Sequence, residues 1–194
     1  MIYIYKTDTV WGIGSAIDDK DSHLKICKIK KTSTQKPVSI LFNSLKEIKK
    51  YFDLPFSKED KDLSYFFNDK ITLLLPLKYA LKKIPNFIIG ESEYVGIRCL
   101  KNHKISKVIE EIRKPITTTS LNFTGEPVAR NAKEATAFLA KASLDEKDYL
   151  FINETNEIES SEPSTILQFD LEKRWKLIRG DENKLKKYQE IFST

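Results

Sequence analysis

The chain has 194 residues and a mass of 22.5 kDa, enough for one sizeable domain and short for two. A hydrophobic fraction of 40% with 11% aromatic residues is ordinary for a globular protein and excludes bulk disorder. The longest apolar run, around residues 71–77, is far below the roughly 18–20 residues that span a bilayer. The first residues lack the basic and apolar regions of a signal peptide. We therefore expect a cytoplasmic protein with no membrane segment.

The formal net charge of +5 is compatible with a polyanionic partner. However, 28 of the 33 basic residues are Lys, and they are scattered along the whole chain. Charge alone therefore leaves nucleic-acid binding open without indicating a surface for it. The few arginines are more informative, because a site that needs a planar two-pronged donor favours Arg over Lys. They are Arg98, Arg113, Arg130, Arg174 and Arg179.

Elements of both kinds alternate along the chain. Apolar and β-branched runs predict strands at residues 2–5, 10–13, 38–42, 71–75, 94–98, 116–119, 165–169 and 175–178. Helical periodicity and capping residues predict helices over residues 19–31, 105–112 and 184–192, and helices that begin after Ser44 and Asn131. The acidic stretch at residues 153–162 predicts a surface loop. The sequence thus predicts a single α/β domain with a central sheet.

Several familiar catalytic arrangements are missing from the sequence. With six glycines, the chain has no Walker-A loop and no dinucleotide fingerprint, and it has no Gly-x-Ser-x-Gly elbow and no HExxH motif. His23 and His103 lie in polar stretches where we expect exposure to solvent. Cys27 and Cys99 form no metal-spaced pair, and we expect them to be small buried residues.

Hydroxyl, amide and cationic groups are instead concentrated at the ends of predicted strands. Residues 6–14 place two threonines and an Asp in a turn, and residues 115–127 form the densest polar segment. Arg98 and Arg179 each end a predicted strand, and Ser164 precedes another. Singly, each feature also fits a structural role in a turn or a strand. Together they suit the binding of carboxylates and phosphates, with catalysis by orientation and charge neutralisation, although spacing alone leaves their convergence open.

Six motifs in a fixed order, followed by a seventh that lacks one residue, carry a resemblance to a known family. Residues 6–14 are similar to its Pro-Thr-Asp-Thr-Val-Tyr-Gly-Leu-Gly, and residues 30–42 to its Lys-x-Arg-x-x-x-Lys-Pro segment and apolar strand. Ile-Thr-Leu-Leu-Leu-Pro at 71–76 and Val-Gly-Ile-Arg at 95–98 match its Leu-Thr-Leu-x-Leu-Pro and Val-Gly-x-Arg. Ser-Leu-Asn-Phe-Thr-Gly-Glu-Pro at 120–127 and Ser-Thr-Ile at 164–166 follow, and Arg179-Gly180 resembles its closing Arg-x-Gly. The chain thus resembles the YrdC-like family, in particular its threonylcarbamoyl-AMP synthases.

The resemblance covers nearly the whole chain and implies one YrdC-like domain over residues 1–194, a twisted mixed sheet flanked by helices with a concave basic site. It implies a nucleotidyltransferase that forms threonylcarbamoyl-adenylate and pyrophosphate from L-threonine, bicarbonate and ATP. That product serves the threonylcarbamoyl modification of adenosine in tRNA. Mg²⁺ is expected with ATP, and tRNA and downstream threonylcarbamoyl-transfer proteins are further expected partners.

The family's binding residues can be carried over to matching positions. The resemblance implies that threonine is held by Thr9, Arg98, Thr118 and Ser164. It implies that ATP is contacted by Lys30, Lys36, Ser120, Asn122, Val128 and Arg179. Arg98 would pair with the threonine carboxylate, and Lys30 and Arg179 would neutralise phosphates. No residue is implied as a proton-abstracting catalyst or as a metal ligand.

One departure from the family pattern bears on activity. The family's Lys-x-Arg pair appears here as Lys30-Lys-Thr32, so its second cation is replaced by a hydroxyl. Two alternatives to the synthase stay open, the first because of the net charge of +5 and the second because of this departure. One is a noncatalytic module of the same fold that binds double-stranded RNA or tRNA. The other is a paralogue that acts on a different carbamoyl or adenylyl substrate.

Overall fold

The computed structural model describes residues 1–101, 103–142, 144–153 and 162–192. Its strands are β1 (Ile2–Lys6), β2 (Trp11–Ser15), β3 (Ser39–Phe42), β4 (Ile71–Pro76), β5 (Tyr94–Cys99), β6 (Ile116–Ser120), β7 (Tyr149–Ile152), β8 (Thr165–Phe169) and β9 (Trp175–Arg179). Its α-helices are α1 (Lys20–Lys30), α2 (Leu45–Lys49), α3 (Asp60–Asn68), α4 (Asn86–Ile89), α5 (Lys104–Ile112), α6 (Ala132–Ala142) and α7 (Glu182–Phe192). Most of the acidic stretch predicted as a surface loop, residues 154–161, lies outside the described residues.

The strands of the described chain form one mixed sheet in the order β7-β1-β2-β6-β3-β5-β4-β8-β9. Strand β1 pairs in parallel with β7, β3 with β5, and β4 with β8. The other neighbouring pairs are antiparallel. This architecture confirms the predicted single α/β domain, in which a mixed sheet is flanked by helices.

Alternation along the central strands separates the main core from the opposite face of the sheet. In β4 and β5, the residues Ile71, Leu73, Val95 and Ile97 enter the largest apolar cluster. Helices α2, α3 and α7 cover this cluster with aromatic and branched side chains. Because successive side chains of a strand point to opposite faces, the residues between these apolar positions project to the other side.

Two smaller clusters hold helices α1, α5 and α6. Helices α1 and α6 pack on β1 and β2 through a cluster that contains Trp11 and Phe138. Helix α5 packs on β1, β3 and β6 through Ile105 and Ile109. The i, i+4 spacing of these two isoleucines is the periodicity that predicted the helix.

Side chains cap the starts of α1, α2 and α6, and the caps of α2 and α6 were predicted from the sequence. Asp19 Oδ1 accepts a hydrogen bond from Ser22 N at 3.0 Å at the start of α1, and Ser44 Oγ accepts one from Glu47 N at 3.3 Å at the start of α2. Asn131 Oδ1 accepts one from Glu134 N at 2.9 Å before α6. Three elements were not predicted from the sequence: α3, α4 and β7.

The expectation that His23 is exposed is wrong. Its side chain is buried, tilted against the Phe87 ring with centroids 5.0 Å apart, and its Nε2 lies 3.4 Å from Cys27 Sγ. Burial lowers the pKa of His23, which favours the neutral imidazole. Cys27 and Cys99 are both buried free thiols, as predicted.

Among the described residues, no helix combines the length and the apolar character needed to cross a bilayer.

Candidate active site

A cleft of about 310 Å³ lies on the face of the sheet opposite the main core. Its floor comes from residues that alternate with core positions: Leu41 in β3, Thr72 in β4 and Arg98 in β5. Gly96 lies opposite Ser39 in the paired strands, and a Cβ on Gly96 would stand only 2.4 Å from Ser39 Oγ. Glycine at this position therefore leaves room for the Ser39 side chain in the cleft wall.

Eight of the ten residues predicted to bind substrates line this cleft. They are Thr9, Lys36, Arg98, Thr118, Ser120, Val128, Ser164 and Arg179. They come from the β1–β2 turn, the segment before β3, strands β5 and β6, the loop after β6, and the ends of β8 and β9. The fold thus brings together polar groups that are up to 170 positions apart in the sequence, from Thr9 to Arg179.

The other two predicted residues, Lys30 and Asn122, support the loop that borders the cleft. Lys30 Nζ donates hydrogen bonds to the carbonyl oxygen of Ser120, to Asn122 O at 2.7 Å and to Asn122 Oδ1 at 3.1 Å. The Asn122 side chain also accepts from Ser120 Oγ at 2.8 Å and donates to Glu126 O at 2.8 Å. In this arrangement the Lys30 ammonium group fixes the loop rather than facing the cleft.

Arg98 is held rigidly at the base of the cleft. Its Nη1 donates to Ile71 O at 2.9 Å, and its Nη2 is paired with the Asp8 carboxylate. The Arg98 side chain is 6% exposed and that of Asp8 is 19% exposed. A guanidinium group that is buried to this extent needs a counter-charge, and Asp8 supplies it.

The turn between β1 and β2 is ordered by its threonines. Thr7 Oγ1 donates to Val10 O at 2.5 Å and accepts from Thr9 N at 3.0 Å, and the hydroxyls of Thr7 and Thr9 lie 2.9 Å apart. A hydroxyl that bonds the backbone two and three residues ahead stabilises a tight turn. This network fixes Asp8 and Thr9 relative to the cleft.

Two further contacts orient hydroxyl groups of the site. Tyr5 is fully buried, which raises the pKa of its phenol, and its hydroxyl donates to Thr118 Oγ1 at 2.6 Å. The Thr72 and Ser164 hydroxyls lie 2.9 Å apart. The Thr118 and Ser164 side chains are therefore pre-positioned by neighbours that sequence reasoning did not single out.

The cations near the cleft have different environments. Burial, reinforced by the charge of Lys36, lowers the pKa of Lys30 to about 8. Burial also lowers the pKa of Arg179, whose Nη2 donates to Ser164 O at 3.0 Å. Among the described residues, neither Lys36 nor Arg179 is paired with a carboxylate. These two side chains therefore retain charge for an anionic ligand.

The residues that line the cleft do not form a metal cage. None of the described lining residues is a carboxylate, His or Cys, and no cluster of such residues elsewhere in the described chain has metal-binding spacing. Mg²⁺ at nucleotide sites commonly keeps several waters and takes ligands from substrate phosphates. This donor set fits a magnesium ion that enters as part of MgATP.

Sequence reasoning missed Asp8, Tyr5 and Thr72 as parts of the site. Asp8 was visible as a carboxylate between two threonines in a polar turn. A useful signal would have been the requirement that a buried Arg be paired, since Asp8 is the acidic residue in the first cleft motif. Tyr5 and Thr72 lie within predicted strands and carried no separate signal.

Comparisons with known proteins agree with the fold and the motifs. The family described as Sua5/yciO/yrdC, telomere recombination, matches residues 1–180. The chain is 27% identical over 141 residues to a threonylcarbamoyl-AMP synthase of Pseudoalteromonas atlantica. These residues cover 72% of this chain and 74% of that protein. It is 29% identical over 136 residues to a threonylcarbamoyl-AMP synthase of Wigglesworthia glossinidia brevipalpis, 69% of this chain and 68% of that protein.

A solved structure shares the architecture. The crystal structure of P. abyssi Sua5 complexed with L-threonine superposes with a TM-score of 0.72 at 24% identity and covers 92% of this chain. The chain spans about half of that Sua5 chain, 49% of its length. With the family match over residues 1–180 and the ordered motifs of the cleft, the chain belongs to the Sua5/YciO/YrdC family.

Proposed function

We propose that this chain is a threonylcarbamoyl-AMP synthase, which converts L-threonine, bicarbonate and ATP into threonylcarbamoyl-adenylate, pyrophosphate and water. The observation that carries the proposal is the convergence of Arg98 with three hydroxyl residues and with two cations, Lys36 and Arg179, that pair with no carboxylate of the described residues. The names of the curated relatives support it, as does the threonine complex of P. abyssi Sua5.

At one part of the cleft, Arg98 would bind the threonine carboxylate. Its guanidinium retains N–H groups that are not used by Ile71 O or Asp8. Thr9, Thr118 and Ser164 offer hydroxyls that can bind the carboxylate, the amine or the side-chain hydroxyl of threonine. Because Tyr5 already orients the Thr118 hydroxyl and Thr72 that of Ser164, these two hydroxyls lose little freedom when the substrate binds.

ATP would bind against the loop that follows β6. Ser120, Val128 and the unpaired cations Lys36 and Arg179 line the cleft there, and Lys30 and Asn122 hold the loop in shape. Lys36 and Arg179 would neutralise the triphosphate. Mg²⁺, bound to the triphosphate oxygens, would reduce the negative charge that opposes attack at the α-phosphorus.

The reaction needs alignment more than a strong base. Bicarbonate takes up a proton and loses water to give carbon dioxide. The neutral amine of threonine attacks the carbon of this carbon dioxide and loses a proton, which forms a carbamate. A carbamate oxygen then attacks the α-phosphorus of ATP, and the bond between that phosphorus and the α,β-bridging oxygen breaks, so that the β- and γ-phosphates leave together as pyrophosphate. Holding both reactants in one cleft converts this encounter into an intramolecular step, which alone can supply several kcal/mol, about 7–11 in favourable cases.

The test is release of pyrophosphate from ATP and Mg²⁺ by the full chain, with and without L-threonine and bicarbonate, and with L-serine as a control. We expect release that requires both threonine and bicarbonate. Protein that is folded and binds ATP but releases nothing would support the paralogue with another substrate. Protein that neither releases pyrophosphate nor binds nucleotide would support the RNA-binding module, whose tRNA affinity should then fall steeply with salt.

A further inference from the structure

The ion pair between Asp8 and Arg98 places opposite charges side by side at the base of the cleft. The Asp8 carboxylate contacts Arg98 Nη2, and Thr7 and Thr9, the neighbours of Asp8, both line the cleft. Asp8 keeps 19% of its side chain exposed and directly contacts the guanidinium of Arg98, which lines the cleft. At short range in a partly buried site, the field of such a charge is only weakly screened.

The other cations of the cleft differ from Arg98 in their charge partners. Lys36 and Arg179 also line it, and neither is paired with a carboxylate among the described residues. Arg98 is thus the cleft-lining cation whose charge is balanced by the protein itself, since the described chain gives it Asp8 as a partner. A phosphate group gains from the uncompensated cations but meets a negative charge beside Arg98.

We propose that Asp8 makes the Arg98 subsite selective for a zwitterionic amino acid over other anions. An α-amino acid carries a carboxylate, which binds Arg98. Its α-carbon also carries an ammonium group, which Asp8 attracts. A phosphate, a pyrophosphate or a simple hydroxy acid offers only negative charge and is repelled. Asp8 thereby directs threonine to Arg98 and keeps the triphosphate at the other cations.

The local geometry supports this role because Asp8 cannot easily turn away. The hydroxyl of Thr7 binds both Val10 O and Thr9 N, so the backbone on either side of Asp8 is fixed. The second Arg98 contact, from Nη1 to Ile71 O, holds the guanidinium in place. Asp8 is therefore a positioning and selectivity residue that acts through Arg98 and through its charge.

This inference rests on the proposed function, and its test is a comparison of two ligands in direct binding. Isothermal titration of the full chain measures L-threonine and the hydroxy acid in which a hydroxyl replaces the α-amino group of threonine. The wild type should bind threonine at least about tenfold more tightly than the hydroxy acid. In Asp8→Asn, which keeps the size and an oxygen acceptor, this ratio should fall about tenfold, and inorganic pyrophosphate should become a competitor of threonine.

The matched control is Asp170→Asn, which removes a carboxylate that pairs with Arg174 outside the cleft and should leave the ratio unchanged. A wild type that binds the two ligands equally would overturn the inference without any variant, which covers the case that Asp8→Asn does not fold. A folded Asp8→Asn protein with the wild-type ratio would also overturn it, while the proposed function would stand. A wild type that binds neither ligand would overturn both.

Discussion

Lys30 Nζ donates a hydrogen bond to Asn122 O at 2.7 Å and thereby ties the end of α1 to the loop that borders the cleft. The two residues are 92 positions apart. The same ammonium group also donates to Asn122 Oδ1 and to the Ser120 carbonyl. Lys30, which the resemblance predicts to contact phosphate, is therefore a structural link between α1 and this loop.

Replacing Lys30 with Met should destabilise the protein and loosen the loop. The substitution keeps much of the apolar stem but leaves the Ser120 and Asn122 carbonyls without their donor, at a cost of about 1–3 kcal/mol. Urea unfolding measures the loss. Lys28→Met, an exposed position in the same helix, is the control and should change the free energy of unfolding by less than about 0.5 kcal/mol. Equal effects of the two substitutions would contradict the link.

The lowered pKa of Lys30 predicts a specific pH dependence of stability. Burial and the charge of Lys36 lower the pKa to about 8 in the folded protein, against 10.5 for the unfolded chain. Between these two pH values, Lys30 binds more protons in the unfolded chain than in the folded protein. The contribution of Lys30 to the free energy of unfolding therefore increases as the pH rises through this window, by at most about 1.4 kcal/mol per pH unit. Unfolding curves of the wild type and Lys30→Met at several pH values from about 7 to 10 should diverge in this direction. Parallel curves would show that Lys30 keeps an ordinary pKa.

Much of the fold could be predicted because the signals were local. The central strands β4, β5 and β8 combine apolar residues with β-branched ones, and the capping residues Ser44 and Asn131 begin their helices as predicted. The missed elements have weaker local signals. Strand β7 has four residues and exists by pairing with β1, and α4 is one turn long. Helix α3 begins without a side-chain cap, although Leu63 and the residues three and four positions later, Phe66 and Phe67, have helical spacing.

The chemistry of the site could be predicted, but not its internal pairing. The rarity of Arg and the end of a predicted strand pointed to Arg98, and the resemblance pointed to the residues around it. Its pairing with Asp8 spans 90 positions and joins the β1–β2 turn to a strand that hydrogen-bonds with neither β1 nor β2. His23 was misjudged for the same reason, since Phe87, which covers it, belongs to a distant helix. Such contacts depend on tertiary packing that no local pattern encodes.

Tyr188 anchors α7 to the end of α3, and its hydroxyl should be worth measurable stability. It donates to Asp69 Oδ2 at 2.7 Å, while its ring packs edge-on against Phe66 at 4.8 Å. Tyr188→Phe keeps the ring and removes the donor, so we expect a loss of about 1–2 kcal/mol in chemical denaturation. Tyr65→Phe is the control: it removes a hydroxyl that accepts a solvent-exposed hydrogen bond from Lys187 Nζ at 3.1 Å, on a side chain that is 57% exposed, and it should be nearly neutral.

The same pair gives a pH signature at the acid end. Burial alone would raise the pKa of Asp69, but hydrogen bonds from Tyr188, Lys187 and Lys184 outweigh it and hold that pKa below its ordinary value of 3.8. The stability that these bonds provide is present above this pH and is lost as the pH falls below it. The difference between Tyr188→Phe and the wild type should therefore shrink in acid, and a difference that stays constant down to the lowest measurable pH would contradict the pairing.

Arg98→Ala should abolish threonine-dependent pyrophosphate release. The change removes the proposed partner of the threonine carboxylate and leaves the Asp8 carboxylate without its counter-charge. We expect kcat/KM for threonine to fall by at least about 100-fold, with a lower thermal midpoint. Arg113→Ala, an exposed position at the end of α5, should retain wild-type activity. Wild-type turnover by a folded Arg98→Ala protein would remove Arg98 from the threonine site.

Thr32→Arg should strengthen the use of ATP, because it restores the cation that the family has at this position. Thr32 is half-buried and lines a small cavity together with Lys30 and Lys36, so an Arg there would have its guanidinium beside the two lysines and close to the cleft wall. A guanidinium group offers phosphate a two-pronged contact that neither lysine provides. We expect KM for ATP to fall about tenfold with little change in KM for threonine. Thr34→Arg adds the same charge at an exposed position of the same segment and should leave both constants unchanged. An unchanged KM for ATP in Thr32→Arg would mean that the cleft binds the triphosphate with Lys36 and Arg179 alone.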